Sequence, residues 1–188
     1  MRDISLHILD IMQNSTAANA GRITVKVEAI PGEDSLRIEI EDNGCGMDEE
    51  LLTNVTSPFA TTRKTRKVGL GIPLFKASAE RSGGSFEIDS AKEIGTVVTA
   101  VFRISHIERP TLGDLSGVIA DMAAANPSVE IELSLNNGER QFVYNSREIS
   151  GILDGVPLTE PAVIKWMREY IDEGIHEIFG GVLSEIIG

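Results

Sequence analysis

The stretch EIEDNGCGMD, residues 39–48, decides how the rest of the chain is read. An alternating strand, with Leu36, Ile38 and Ile40 on one face, runs into Asp42 and then into two glycines split by Cys45. A carboxylate at the end of a core-facing row costs free energy unless a hydrogen-bond donor meets it. An exocyclic amine such as adenine's would be that donor. Gly44 and Gly46 permit positive φ and let a ligand approach the backbone closely. A plain Asp-Asn-Gly turn with an incidental acid is the competing reading, and these ten residues alone do not separate the two.

Outward from this point, RITVKVEAI (22–30) and SLRIEIED (35–42) alternate at period two around PGED, which predicts a hairpin. Before it, residues 3–19 place Ile4, Ile8, Ile11 and Met12 at helical spacing, with Gly21 as the stop. After it, residues 48–56 predict a short helix capped by Asp48, and 57–71 read as a basic, glycine-punctuated loop. IPLFKASAERSG (72–83) predicts a helix, and GSFEIDSAKEIGTVVTAVFRI (84–104) a second strand pair. The pattern shifts near HIERPTLGD (106–114). Beyond it the chain predicts a helix at 111–125, the strand VEIELSL, a turn at Asn136–Asn137–Gly138 and the strand ERQFVYN. A last helix covers 159–179, with Thr159 as its cap and Pro161 in its first turn. The expected class is α+β. A two-layer α/β sandwich with a mixed, mostly antiparallel sheet occupies 1–106, and a small α+β appendage, 107–188, makes contacts within the chain or to a partner.

Composition narrows the function. A formal net charge of -12 over 188 residues argues against a nucleic-acid surface, which needs a broad basic face. A single cysteine, Cys45, excludes an internal disulfide and suits a reducing cytoplasm. No apolar run nears the roughly 20 residues that span a bilayer. The opening residues, with Asp3 and Asp10, do not read as a signal peptide. The expectation is a cytoplasmic protein with no membrane and no nucleic-acid partner.

Three further stretches favour a nucleotide over a plain turn. VGLGIPLFK (68–76) sets a glycine pair at the start of a helix, where free N–H groups can hold phosphate. The run RKTRK (Arg63, Lys64, Arg66, Lys67) just before it is a local basic cluster on an acidic chain, suited to triphosphate charge. Asp10 and Asn14 stand four apart on the first helix and so share a face. An acid and an amide beside a phosphate site can hold Mg²⁺ and order a water.

In this order, the stretches resemble the boxes of the GHKL superfamily, which includes gyrase B, MutL-type proteins, the ninety-kilodalton heat-shock chaperones and sensor histidine kinases. DIMQNSTAANA is similar to its N box, DNGCGM to its G1 box, SPFATTR to its F box and VGLGIPLFK to its G2 box. GGSFEIDSAKEIGTVVTAVF is similar to the closing strand pair with its Gly-Thr, here Gly95–Thr96. The resemblance covers residues 3–105 and implies the Bergerat ATP-binding fold. It implies that Asp42 accepts from the adenine amino group, that Thr96 supports that contact, and that Met47 packs on the base where Gly44 and Gly46 leave room. It implies that Asn14 coordinates Mg²⁺, that Gly69, Leu70 and Gly71 bring the helix start to the phosphates, and that Phe59, Thr61 and Thr62 belong to a lid on which Arg63, Lys64, Arg66 and Lys67 are candidate phosphate contacts.

Departures from the family pattern also carry information. Hydrolytic members place a glutamate four residues before the N-box asparagine; here Asp10 stands there with one methylene less of reach. Sensor histidine kinases often lack an acid at that position, and the N box lies so near Met1 that no upstream phospho-accepting hairpin is expected. His7 reads as packing or surface, His106 has no motif around it, and His176 lacks the proline and basic residue that follow an acceptor histidine. Trp166, Met167, Tyr170 and Ile171 fall at helical spacing and read as core. The resemblance therefore implies a regulatory protein that binds Mg·ATP and transfers or hydrolyses its γ-phosphate, like stand-alone anti-sigma-type kinases. The alternative is a non-catalytic ATP sensor whose lid and appendage control a protein partner. A homodimer is left open.

Overall fold

The computed structural model describes residues 3–55 and 70–180. Helix α1 (Ile4–Ala17) leads into the strands β1 (Arg22–Ile30) and β2 (Ser35–Asp42). A short helix α2 (Glu49–Val55) follows, capped by Asp48, whose Oδ1 accepts from the Leu51 N–H at 2.9 Å. Then come α3 (Gly71–Arg81), β3 (Ser85–Ala91) and β4 (Gly95–Arg103). The second half contributes α4 (Leu115–Ala125), β5 (Glu130–Asn136), β6 (Gln141–Asn145), α5 (Ser146–Ile152) and α6 (Pro161–Phe179).

The six strands of the described residues form one sheet in the order β3-β4-β2-β1-β5-β6. Every neighbouring pair is antiparallel except β1 with β5. The two-layer, mixed and mostly antiparallel sandwich expected from the sequence is what the chain adopts. Residues from 107 onward add β5 and β6 to this sheet, and α4 packs beside both α1 and α6. The helix layer thus runs α3, α1, α4, α6 over one sheet face.

The strand periodicity explains the one-sided core. Ile23, Val25 and Val27 of β1, Leu36, Ile38 and Ile40 of β2, Val98, Ala100 and Phe102 of β4, and Ile131, Leu133 and Leu135 of β5 are all buried. Ile4, Ile8, Ile11 and Met12 of α1 meet them from the helix side. Burying each such side chain stabilises by roughly 1.5–3 kcal/mol. The opposite sheet face carries charged pairs, among them Lys26–Glu39 at 2.8 Å and Arg22–Glu132 at 3.0 Å.

Several boundaries differ from the expectation, each for a local reason. Helix α1 ends at Ala17, before Gly21, because Asn19 takes the left-handed turn at φ 59°. Helix α4 starts at Leu115 and not at 111, because the carbonyls of Thr111 and Leu112 accept from the N–H groups of Ile4 and Ser5. Asp114 then caps it, accepting from Gly117 N–H at 2.8 Å. The cap position of α6 belongs to Glu160 and not to Thr159, since Pro161 holds the residue before it extended. Helix α5 is an element the sequence pattern does not predict; Asn145 caps it by accepting from the N–H groups of Arg147 and Glu148. Of the stripe on α6, Met167 and Ile171 are core, while Trp166 is exposed and stacks on Tyr170.

Candidate functional site

Asp42 is the last residue of β2, on the same face as Ile38 and Ile40. Register sets it between Ile23 of β1 and Thr96 of β4, and Thr96 in turn beside Ser90 of β3. The core row thus turns polar at the end of the sheet, where α1 ends and the glycine turn begins.

Both carboxylate oxygens of Asp42 are held. Oδ2 accepts from the Ser15 hydroxyl at 2.6 Å, and Oδ1 from the Gly44 N–H at 2.9 Å. Each oxygen keeps a lone pair in reserve. Ser15 is buried on α1, one residue after Asn14, and its hydroxyl also lies 3.2 Å from the Ile11 carbonyl.

The turn 43–47 is fixed from both sides. Cys45 N–H donates to the Ala18 carbonyl at 2.9 Å, and Glu93 N–H donates to the Cys45 carbonyl at 2.8 Å. Met47 N–H donates to the Ser90 hydroxyl at 2.9 Å. Gly46 sits at φ +62° with the Ala91 carbonyl where a Cβ would go. A Cβ on Gly44 would lie 2.9 Å from Ala18. Only glycine fits at either position, because the turn lies against α1 on one side and the β3–β4 hairpin on the other.

A cleft of about 350 Å³ opens at this point. Asn14, Asp42, Gly46, Met47 and Thr96, all expected from the sequence, line it together. The apolar wall comes from Ile11, Ile72, Val98, Leu51 and Val55. Gly44, also expected there, is not one of the lining residues; its N–H donates to Asp42, which is. Asp10 is one turn before Asn14 and packs against the start of α3: a Cβ on Gly71 would stand 2.8 Å from the Asp10 Cβ and 2.9 Å from its Oδ2. Partial burial raises the Asp10 carboxyl above its ordinary range. Gly71 is buried, and Leu70, just before α3, is largely exposed. Phe59, Thr61, Thr62, Arg63, Lys64, Arg66, Lys67 and Gly69 lie outside the described residues.

Sequence reasoning missed Ser15 and Ser90. Ser15 carried a signal, since it follows Asn14 on the buried face four residues after Ile11. Ser90 carried only its strand parity with Phe86 and Ile88. His7, as expected, packs: it is buried and stacks on Phe75 of α3 with ring centroids 4.9 Å apart. Among the described residues no three His, Cys, Asp or Glu side chains cluster as a metal site, and no helix is long and apolar enough to cross a membrane.

Comparison with known proteins places this geometry. Residues 2–106 match the family of histidine kinase-, DNA gyrase B- and HSP90-like ATPases. Sporulation kinase D of Bacillus subtilis is 31% identical over 100 residues, which is 52% of this chain and 19% of that protein. The signal transduction histidine-protein kinase AtoS of Escherichia coli is 31% identical over 99 residues, 52% of this chain and 16% of its own length. The chain therefore spans less than a fifth of the length of these curated relatives. Among solved structures, the Aquifex aeolicus MutL ATPase domain complexed with ADP superposes with a TM-score of 0.50 at 14% identity, covering 82% of this chain and 70% of that one. The N-terminal domain of a DNA repair protein superposes with a TM-score of 0.56 at 13% identity, covering 76% of this chain and 52% of that one. With its ATP-binding domain over residues 2–106, the chain belongs to the histidine kinase-, DNA gyrase B- and HSP90-like ATPase family.

Proposed function

We propose that the protein is an ATP-dependent regulatory protein whose cleft binds Mg·ATP and whose chemistry is transfer or hydrolysis of the γ-phosphate. The observation that carries this reading is the Asp42 carboxylate, held by two neutral donors at the mouth of a largely apolar cleft and paired in register with Thr96. Such a group accepts from an exocyclic amine, while Met47 and Ile72 offer apolar surface to a flat base.

The residues present suit the groups that this reading needs. Asn14, exposed on the rim, would hold Mg²⁺ with the phosphate oxygens, and the ion would supply charge neutralisation during phosphoryl transfer. A metal that prefers phosphate and water ligands does not require a cluster of protein carboxylates. Gly71 and Ile72 open α3 with N–H groups that lack intrahelical partners. Asp10, beside that helix start and with its carboxyl shifted upward by burial, is placed to order a water and take its proton. Gly69 and the basic residues Arg63, Lys64 and Lys67 are the proposed phosphate contacts of the lid, together with Phe59, Thr61 and Thr62. In this reading residues 1–106 hold the nucleotide and 107–188 contact a protein partner.

Calorimetric titration of Mg·ATP and Mg·GTP into the wild type and into Asp42→Asn tests the reading. The expected result is ATP-selective binding that weakens by about a hundredfold or more in the variant. Equal affinity in wild type and variant would remove adenine from the cleft. Phosphate release that is lost in Asp10→Ala while nucleotide binding persists would support hydrolysis; binding without release or transfer in the wild type would leave a sensor.

A further inference from the structure

We infer that Ser90 is a specificity-determining positioning residue: by accepting the Thr96 hydroxyl proton, it leaves only acceptors on the base-facing edge of the cleft, so that a 6-aminopurine is taken and a 6-oxopurine refused. This rests on the reading of the cleft as an adenine site.

The Ser90 Oγ has one proton and three polar neighbours: the Met47 N–H at 2.9 Å, the Gly95 carbonyl at 2.8 Å and the Thr96 Oγ1 at 2.9 Å. The Met47 amide can only donate and the Gly95 carbonyl can only accept. If Ser90 turned its proton to Thr96, two oxygens would face each other at 2.8 Å with no hydrogen between them. The Ser90 proton therefore goes to Gly95, and the Thr96 contact requires Thr96 to donate.

With its proton committed, Thr96 offers the cleft lone pairs alone. Its neighbour in register, Asp42, is likewise an acceptor, its oxygens already served by Ser15 and Gly44. An amino group, or a water that the base itself supports, satisfies this edge. A carbonyl oxygen would meet lone pairs on both sides, and an unpaired buried polar contact of that kind is what gives a site its discrimination. Ser90 never needs to touch the base; it acts through the direction of the Thr96 hydroxyl.

The test is calorimetric titration of ADP and of inosine 5′-diphosphate, which replaces the 6-amino group by a 6-oxo group and puts a proton on N1, into the full chain. These diphosphates report on the base edge with little dependence on the γ-phosphate. The wild type should prefer ADP by on the order of a hundredfold. In Ser90→Ala the Thr96 proton is free to turn toward the cleft, and the preference should fall about tenfold; Ser90→Thr, which keeps the hydroxyl, should restore it. Both affinities falling in parallel in Ser90→Ala, with the ratio kept, would overturn the inference and leave Ser90 as a tie for the Met47 turn. Should Ser90→Ala not fold, as judged by circular dichroism, Thr96→Val removes the hydroxyl that Ser90 orients, and with it the lone pairs set against a 6-oxo group, and must lower the ratio likewise; an unchanged ratio there also overturns it. A wild type that binds neither diphosphate would instead sink the adenine reading, and this inference with it.

Discussion

Strand β2 has an aspartate near each end, and the two are used in opposite ways. Asp34, just before the strand, is in a left-handed turn at φ 53°. Its carboxylate accepts from the Ser105 hydroxyl at 2.7 Å, the Ser105 N–H at 2.8 Å and the Arg103 Nε at 3.3 Å. Those partners, the hydroxyl first, hold its carboxyl below the usual carboxylate range. Asp42, at the other end, has two neutral partners and borders a cleft. One acid is consumed in tying the β2 turn to the segment after β4. The other is oriented but left with spare capacity next to a space that a base can fill. Residue type and strand position do not distinguish them; what separates a ligand from a staple is unspent acceptor capacity facing a cavity.

The glycines of the two turns should break this symmetry most. Gly46 has positive φ, and the Ala91 carbonyl stands where a side chain would go. Gly46→Ala should cost about 4 kcal/mol of stability in chemical denaturation, from strain and clash together. Gly32, in the turn beside Asp34, has no atom of the described residues within 4 Å of the place a Cβ would take. Gly32→Ala should stay within about 0.5 kcal/mol of the wild type. Comparable losses in both would mean that the Gly46 turn is not the constrained one.

The aspartates themselves come next. Asp42→Asn should weaken adenine-nucleotide binding by about a hundredfold, roughly 3 kcal/mol. Asp34→Asn should leave that affinity unchanged and lower the melting temperature, since it loses an ion pair with Arg103. An Asp34 variant that loses nucleotide would erase the division of labour between the two ends.

Much of this is legible in the sequence where pattern is dense. The β1–β2 hairpin has the bounds that its alternation and the PGED turn predict, because period two and a short turn together set register. Asn14, Asp42, Met47 and Thr96 meet at one cleft because three motifs converge on the same end of the sheet. The parallel pairing of β1 with β5 is not legible: no turn joins strands about a hundred residues apart, so nothing local records their register. Ser15 and Ser90 escape for a different reason. A serine on a helix or strand is common, and only tertiary placement turns its hydroxyl toward Asp42 or Thr96.

Acid should act on the cleft's supporting helices before it acts on Asp34. His7 is buried between α1 and α3, its two ring nitrogens have no partner among the described residues, and burial lowers its pKa from 6.5 to about 4. The folded state therefore holds the neutral ring while the unfolded chain takes up a proton below 6.5. Stability should be full above that pH and fall by roughly 3 kcal/mol as the pH drops toward about 4. Asp34, whose shift is downward, should lose its contribution only below its unfolded value of 3.8. Denaturant midpoints at about pH 7.5, 6, 5 and 3 check the order. In His7→Leu the slope between pH 6.5 and about 4 should flatten, and a slope that survives the substitution would place the acid-sensitive group elsewhere.

The smallest expected effect bears most directly on what keeps Asp42 poised. Ser15→Ala removes the 2.6 Å donor to Oδ2 and leaves the Gly44 N–H on Oδ1. One hydrogen bond to a charged group contributes about 1.5 kcal/mol, so adenine-nucleotide affinity should drop about tenfold and not vanish. Stability should change less than affinity, because the carboxylate lies at the cleft and water can replace the lost donor when no base is bound. The comparison with Asp34 supplies the control: Ser105→Ala removes the shortest donor of that acid and should leave nucleotide affinity untouched. If Ser15→Ala lowers stability and leaves affinity alone, Ser15 is a staple like Ser105, and the Asp42 carboxylate keeps its orientation from the glycine turn alone.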